Sequence, residues 1–161
     1  MGGSNLAGTI VYNETWVYDT VANTWTQLNP SGIARLFASS GVINSKLYVV
    51  AGRDLTGPTN GMMIYDPTAN TWSGGPPIPE DISRCASAVI GSVLYLVAGE
   101  GWSSGLRTVV QAYNSSTETW SYKAPVTAAG RRRAGAALNG RVYVCGSSYV
   151  TPNADVYEYG A

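Results

Sequence analysis

Tyr65-Asp66-Pro67-Thr68-Ala69-Asn70-Thr71-Trp72 is the stretch that decides the fold of this 161-residue chain. The polar turn between the Tyr and the Trp predicts two short β-strands joined by a tight connection, because Asp, Pro and Asn favour turns. The same spacing separates Tyr18 from Trp25 and Tyr113 from Trp120, so the unit recurs every 47 or 48 residues. Repeats of this length are typical of solenoids and propellers.

Other landmarks keep the same phase in all three copies. In each copy a strand rich in Ala, Ser and Gly precedes a nearly continuous apolar strand, which a glycine follows. A continuous apolar run is typical of a strand that is buried on both faces. We therefore predict four antiparallel strands per copy and radial stacking of the sheets, as in a β-propeller. The apolar pairs and glycines are Leu47-Tyr48 with Gly52, Leu94-Tyr95 with Gly99, and Val142-Tyr143 with Gly146.

Side-chain size supports the radial arrangement. Sheets that converge on an axis crowd their innermost strands, which explains the small residues of each first strand. The outer strands diverge, and we expect Trp25, Trp72 and Trp120 to fill the space between them. Trp16 lies two residues before Tyr18 on the same strand face, so it is also expected in the core. Cys85 and Cys145 lie in apolar or small-residue strand patterns and are expected to be buried free thiols.

These landmarks resemble the kelch repeat, which has an Arg before the first strand, a glycine pair after the second and a Tyr-Asp turn leading to a Trp. The resemblance covers nearly the whole chain and implies an all-β propeller of four-stranded blades. Two features depart from it. The glycine pair is reduced to Ala51-Gly52 and its equivalents, although Gly2-Gly3 looks like a pair left from an upstream copy. Arg35, Arg84 and Arg131 stand at unequal distances from the next Leu-Tyr or Val-Tyr pair, so equal roles for them are in doubt.

The strand count predicts an incomplete propeller. After a flexible segment at 1–10, a propeller region at 11–161 holds blade parts at about 11–28, 34–75, 83–122 and 133–159. Propellers typically have about 4–8 blades, so one such chain does not close a ring. Two explanations stay open. The chain is a fragment of a longer polypeptide, or two copies form a homodimer of six blades, the number usual in kelch rings. In that dimer the first and second strands at one C-terminus pair with the third and fourth strands at the other N-terminus.

Composition argues against several classes of function. Ten basic and ten acidic side chains cancel, so no long-range field favours nucleic acid or a membrane surface. The absence of a signal peptide and of a long apolar span predicts a cytoplasmic protein. The chain has no His, which removes the commonest general base and metal ligand. No phosphate-binding glycine loop is present either, so we expect no catalytic residues, no cofactor and no metal.

Loops at one end of the blades are the expected binding surface, because rigid blades hold variable loops in place. In the kelch family these include the loops between second and third strands and those before first strands. Arginine pairs with carboxylates through two parallel hydrogen bonds, which predicts a protein or acidic peptide partner for a non-catalytic binding or scaffold module. The candidate binding residues are Arg35, Arg53, Asp54, Arg84, Glu100, Trp102, Arg107, Arg131 and Tyr149.

Several candidates also have a structural interpretation. Arg35 and Arg84 are expected to bond loop carbonyls, because charges near a core need partners. Arg53 directly follows Gly52 and has the stronger claim to contact a ligand, whereas Trp102 either offers a contact or folds over its own loop. Two other functions stay open. One is a sugar-modifying, epimerase-like kelch enzyme with Asp54 and Glu100 as its carboxylate pair, and the other is a structural oligomeric unit without a ligand.

Overall fold

The architecture is all-β in the computed structural model, which describes residues 2–102, 105–147 and 153–160, the last range through its backbone. The described residues form thirteen β-strands. The strands are β1 (Thr15–Asp19), β2 (Thr24–Leu28), β3 (Ser39–Ile43), β4 (Lys46–Val50), β5 (Met62–Asp66), β6 (Thr71–Gly75), β7 (Ala86–Ile90), β8 (Val93–Glu100), β9 (Leu106–Asn114), β10 (Thr119–Lys123), β11 (Ala134–Leu138), β12 (Arg141–Ser147) and β13 (Asn153–Gly160).

The strands pair into four antiparallel sheets, which we call blades 1 to 4. Blade 1 contains β1 and β2, and blade 2 contains β3 to β6 in chain order. Blade 3 contains β7 to β10, and blade 4 contains β11 to β13. The predicted all-β fold class is confirmed: the described sheets are antiparallel blades of a partial β-propeller.

The Tyr-to-Trp unit forms the outer edge of three blades. Tyr65 and Trp72 are directly opposite each other on β5 and β6, and their ring centroids are 5.0 Å apart. The equivalent pairs in blades 1 and 3 have centroid distances of 5.0 and 5.2 Å. In the turn, the Asp66 carboxylate accepts a hydrogen bond from the Thr68 amide. This local bonding explains why Asp initiates the turn.

The first strands are made of small residues because they pack closely beside one another. A Cβ on Gly41 of β3 would lie 2.5 Å from Cγ2 of Val89 in the neighbouring blade. A Cβ on Gly135 of β11 would lie 2.7 Å from the carbonyl oxygen of Ser87. Ser87 Oγ in turn donates to the Ser40 carbonyl at 2.9 Å. The sequence-based explanation for these small residues is therefore confirmed.

Two apolar clusters fill the spaces between blades. One lies between blades 2 and 3, and the other between blades 3 and 4. The first includes Ile43, Val50, Met62, Ile82, Leu96 and Tyr113, and the second includes Ala86, Val97, Val110, Val142 and Val144. The apolar second strands of blades 2 and 3 are buried on both faces as predicted, whereas β12 buries only the face that carries Val142 and Val144.

Three predicted core residues are exposed instead. Trp25 is 65% exposed and Trp16 is 46% exposed, because the described part of blade 1 has two strands and no described sheet covers these side chains. Cys145 is an exposed free thiol, since none of the described sheets packs against that face of blade 4. Cys85 is buried as expected, and burial raises its pKa to about 11. Trp120 is partly buried against the first apolar cluster, and Trp72 is similarly half-buried.

Within the described ranges, no helix has both the length and the apolar character that crossing a membrane would require.

Candidate functional site

The candidate binding loops gather at one end of the blades, which we call the loop face. Each second strand ends there and each first strand begins there. The loop face contains the connection between β4 and β5, the described part of the connection between β8 and β9, and the segments that lead into β3, β7 and β11. Isolated bridges from Leu36 to Arg53 and from Ser83 to Glu100 join the two kinds of loop.

Glycine amides fix the loops of one blade to the next blade. The Gly52 amide donates to the Ile82 carbonyl at 2.9 Å, and the Gly99 amide donates to the Gly130 carbonyl at 2.7 Å. A Cβ on Gly52 would lie 2.7 Å from the Leu36 carbonyl oxygen, and Gly52 has a φ of 93°. This close approach explains why the second glycine of the kelch pair is retained.

Gly2-Gly3 occupies the same structural position at the start of the chain. The Gly3 amide donates to the Arg35 carbonyl at 3.1 Å. The Gly52 and Gly99 amides make the equivalent bonds to the Ile82 and Gly130 carbonyls, each one blade further along the chain. Both Gly2 and Gly3 have positive φ values, as do Ala51 and Gly52. The interpretation of Gly2-Gly3 as the glycine pair of an upstream copy is therefore supported.

The arginines before the first strands occupy three different positions. One position before the first strand is taken by Phe37 in blade 2, by Arg84 in blade 3 and by Arg132 in blade 4, with φ values of 53°, 55° and 58°. Their backbones form a chain across the blades: the Arg84 amide donates to the Phe37 carbonyl, and the Arg132 amide donates to the Arg84 carbonyl. The irregular spacing in the sequence thus reflects distinct environments for Arg35, Arg84 and Arg131.

Arg35 lies inside blade 2, with 1% of its surface exposed. Its Nη1 donates to the Ala51 carbonyl at 2.9 Å and to the Gly61 carbonyl at 3.0 Å. Burial lowers the pKa of the guanidinium. Arg35 therefore ties together the two ends of the β4–β5 loop and lines no described cleft.

Glu100 is held between two arginines. Its Oε2 pairs with Nη1 of Arg84, and its Oε1 lies 2.8 Å from Nη1 of Arg131. Arg84 also stacks on the Phe37 ring, with 4.1 Å from its Cζ to the ring centroid. Burial opposes the charge of Glu100, but the hydrogen bonds and charges of Arg131 and Arg84 outweigh it and lower the pKa. The cluster links segments from blades 2, 3 and 4.

A first cleft of about 280 Å³ opens between the loops of blades 2 and 3. Trp102 forms one wall and lies so close to Gly57 that a Cβ there would overlap its indole. The side chain therefore reaches the loop of the neighbouring blade and is 57% exposed. The lining residues are Arg53, Thr56, Gly57, Pro58, Glu100, Gly101 and Trp102.

A second cleft of about 250 Å³ lies on the other side of Arg53. It is lined by Gly8, Leu36, Phe37, Arg53, Asp54, Leu55 and Arg84. The Asp54 carboxylate accepts hydrogen bonds from the Thr56 hydroxyl at 2.6 Å and the Thr56 amide at 2.7 Å. These bonds lower the pKa of Asp54. Asp54 therefore shapes its own loop, and it lines a different cleft from Glu100.

Arg53 is the side chain that both clefts share. Its charge contributes to lowering the pKa of Asp54, but its guanidinium makes no hydrogen bond or ion pair with any residue that the structure describes. Its backbone is fixed by pairing with Leu36 and Pro58. Arg53 is thus a positioned cation whose donors remain available.

Arg107 lines neither of these two clefts. Arg107 has its Nε 3.9 Å from Oε2 of Glu80 and lines a separate outer groove of about 480 Å³ with Tyr122. Tyr149 is outside the described residues. The sequence interpretation missed Phe37, Pro58 and Gly57. No motif distinguishes these residues, since their roles come from contacts between loops of different blades.

The described residues contain no group of three or more His, Cys, Asp or Glu that could hold a metal ion. At the loop face, the described residues present guanidinium donors, carboxylates with lowered pKa values and an exposed indole. Such groups can bind a carboxylate beside an apolar or planar surface.

Comparisons with known proteins agree with the fold. Residues 34–79 match the Kelch motif, so the chain carries a kelch repeat in blade 2. A solved structure titled "Structure of YjhT" superposes with a TM-score of 0.77 at 19% sequence identity. The match covers 91% of this chain and 54% of that one, so the chain spans about half the length of that protein. No curated protein matches the chain.

Proposed function

We propose that the chain is a binding module that recognises an acidic, extended peptide segment of a partner protein at the loop face. The observation that carries the proposal is the position of Arg53 between two clefts with its guanidinium donors unused by the described residues. Kelch repeats commonly serve in protein interactions, which agrees with this use of the loops. Arg53 is the anchoring cation in this proposal.

The charge distribution favours Arg53 over the other arginines. Glu100 already pairs with Arg84 and Arg131, and Arg35 is buried against backbone carbonyls. An incoming carboxylate therefore meets one unpaired guanidinium at the mouth of the first cleft. A charge-assisted hydrogen bond of this kind contributes about 1.5–3 kcal/mol.

The walls of the first cleft favour a peptide with flat, apolar groups. Trp102 and Pro58 line the cleft beside Arg53. Trp is enriched at interfaces because it offers a large rigid surface, and an exposed Trp near an Arg is a typical hot-spot combination. We infer that a carboxylate pairs with Arg53 while a neighbouring proline or apolar side chain packs on Trp102.

The two loop carboxylates favour recognition over proton transfer. Asp54 and Glu100 line different clefts, and both have lowered pKa values. A general acid at neutral pH needs a raised pKa instead. These observations give no support to the carboxylate pair of an epimerase-like enzyme.

Fluorescence anisotropy tests the proposal with a labelled peptide of alternating Glu and Pro residues and a counterpart with Gln in place of Glu. Proline keeps both peptides extended. We expect binding of the Glu peptide, and Arg53→Glu should weaken it at least about tenfold because a charge-assisted hydrogen bond is lost. Arg141→Glu is the matched control, since Arg141 begins β12 at the opposite end of the blade.

Thermal unfolding separates recognition from structure. Arg53→Glu should leave the melting temperature close to that of the unmodified chain, because the Arg53 guanidinium makes no hydrogen bond or ion pair with a described residue and is the smallest of the influences on the pKa of Asp54. Equal binding of the Gln peptide, or full binding by Arg53→Glu, would contradict the proposal.

A further inference from the structure

The two walls of the first cleft meet at a contact between blades 2 and 3. Gly57 lies in the connection between β4 and β5, and Trp102 lies in the connection between β8 and β9. A Cβ on Gly57 would overlap Cζ3 of the Trp102 indole and would lie 2.7 Å from its Cη2. Gly57 is buried, although Leu55 and Thr56 before it are exposed. The indole therefore rests on bare backbone of the neighbouring blade.

The Asp54 carboxylate closes the turn that carries Gly57. Its Oδ1 accepts hydrogen bonds from the amides of Thr56 and Gly57 at 2.7 and 3.0 Å, and from the Thr56 hydroxyl at 2.6 Å. The Asp54 amide donates to the Gly57 carbonyl at 3.0 Å. Gly57 has a φ of 154°, a backbone conformation that residues with a side chain rarely adopt. One carboxylate oxygen thus holds the backbone of Gly57 where the indole packs on it.

The same turn fixes the separation between the cation of the cleft and its indole. Arg53 pairs with Pro58 in an isolated antiparallel bridge, and Pro58 directly follows Gly57. Antiparallel partners have Cα atoms about 4.5–5.5 Å apart, so the indole packs one residue away from the position opposite Arg53. The distance from the Arg53 backbone to the Trp102 contact is therefore set by this turn.

The first loop of the chain shows that an uncharged acceptor can close a turn at this position. Asn5 follows the glycine pair of its repeat as Asp54 follows Ala51-Gly52, with one residue between them. Its Oδ1 accepts hydrogen bonds from the Thr9 and Ile10 amides at 2.8 and 3.0 Å. Asparagine has the carbonyl acceptor of aspartate without the charge. We therefore expect an amide side chain at position 54 to retain the turn.

We propose that Asp54 is a positioning residue for peptide recognition and that it acts through Gly57 on the indole of Trp102 in the next blade. The inference rests on the proposed function, in which that indole contacts the peptide beside Arg53. Without the Asp54 acceptor, the amides of Thr56 and Gly57 lose their partner and the turn opens. Gly57 then no longer supports the indole.

Two substitutions at position 54 separate positioning from charge. The Asp54 carboxylate repels an acidic peptide, so its charge alone predicts tighter binding when it is removed. Asp54→Asn and Asp54→Ala remove the same charge, but only asparagine retains the acceptor. Asp54→Asn should bind the labelled peptide of alternating Glu and Pro at least as tightly as the unmodified chain. Asp54→Ala should bind at least about fivefold more weakly than Asp54→Asn, as is typical of residues that are coupled by contact.

Equal affinities of the two position-54 variants overturn the proposal. The Trp102→Ala background then tests whether Asp54 acts through the indole. In that background the difference between asparagine and alanine at position 54 should fall within about twofold, because independent sites are nearly additive. A difference that persists without the indole also overturns the proposal, since Asp54 then acts on another part of the cleft.

A measurement without peptide separates this proposal from the proposed function. Acrylamide quenching of Trp102 is obtained as the difference between each chain and its Trp102→Phe counterpart. Quenching should increase in Asp54→Ala and in Gly57→Ala, and it should stay unchanged in Asp54→Asn. Unchanged quenching in Asp54→Ala overturns the positioning of Trp102 even where the peptide binds. Failure of the unmodified chain to bind the peptide, with quenching as expected, contradicts the proposed function and leaves the support of the indole by Asp54 confirmed.

Discussion

Glu100 shows how one residue can organise a surface made by several blades. Its carboxylate has 3% of its side-chain surface exposed and pairs with Arg84 and Arg131. Arg84 belongs to the segment before β7 and rests on Phe37 from the segment before β3. Arg131 belongs to the segment before β11. The pairings therefore fix the relative positions of three loop segments, and they also occupy two arginines near the free Arg53.

Glu100→Gln should lower the free energy of unfolding at neutral pH by about 3 kcal/mol, since breaking a buried ion pair leaves an uncompensated charge. Folding lowers the pKa of Glu100, so its stabilisation is present above the unfolded value of about 4.3 and is lost as the pH falls through the lower folded value. The difference between the two proteins should therefore shrink in acid. Urea unfolding at several pH values measures it, with the exposed Glu118→Gln as control. A pH-independent difference would contradict the ion-pair explanation.

At the scale of strands, close backbone packing near the axis decides which residues are tolerated. Gly135 of β11 lies against the backbone of β7, where a Cβ would be 2.7 Å from the Ser87 carbonyl oxygen and 3.0 Å from its amide nitrogen. A Cβ on Gly74 of β6 would meet nothing within 4 Å, because β6 lies at the outer edge. Two strand glycines in one protein thus have opposite surroundings.

Gly135→Ala should therefore destabilise the protein by about 1–3 kcal/mol, as overpacking of a close contact does. Gly74→Ala should be neutral or stabilise it by roughly 0.5 kcal/mol, because alanine restricts the unfolded chain. Chemical denaturation of the two variants measures the contrast. Equal effects of the two substitutions would show that the first strands are not closely packed.

The sequence predicts strands well and the binding loops less well. The repeat phase correctly predicted units of antiparallel strands, because turn residues and apolar runs act locally. The same phase misplaced Trp25 and Cys145 in the core, since burial there depends on contacts with a neighbouring blade and no described sheet makes those contacts. The pairing of Glu100 with Arg84 and Arg131 joins residues distant in the sequence, so spacing alone does not predict it.

At the scale of the whole molecule, each blade contacts the blades beside it, so stability should vary along the chain as it does in other repeat proteins. β8 lies in a complete blade with a blade on each side, and its residues from Leu94 to Glu100 are buried. Blade 1 is a two-stranded hairpin, which is at best marginally stable by itself. Local opening should therefore begin at blade 1.

Hydrogen exchange measures this gradient along the chain. Amides of β1 and β2 should exchange at least about a hundredfold faster than those of β8, because opening the hairpin exposes few apolar contacts whereas opening blade 3 disrupts both apolar clusters. If β1 and β8 exchange at the same rate, all four blades unfold in one step, and the interfaces between blades are stronger than their contacts indicate.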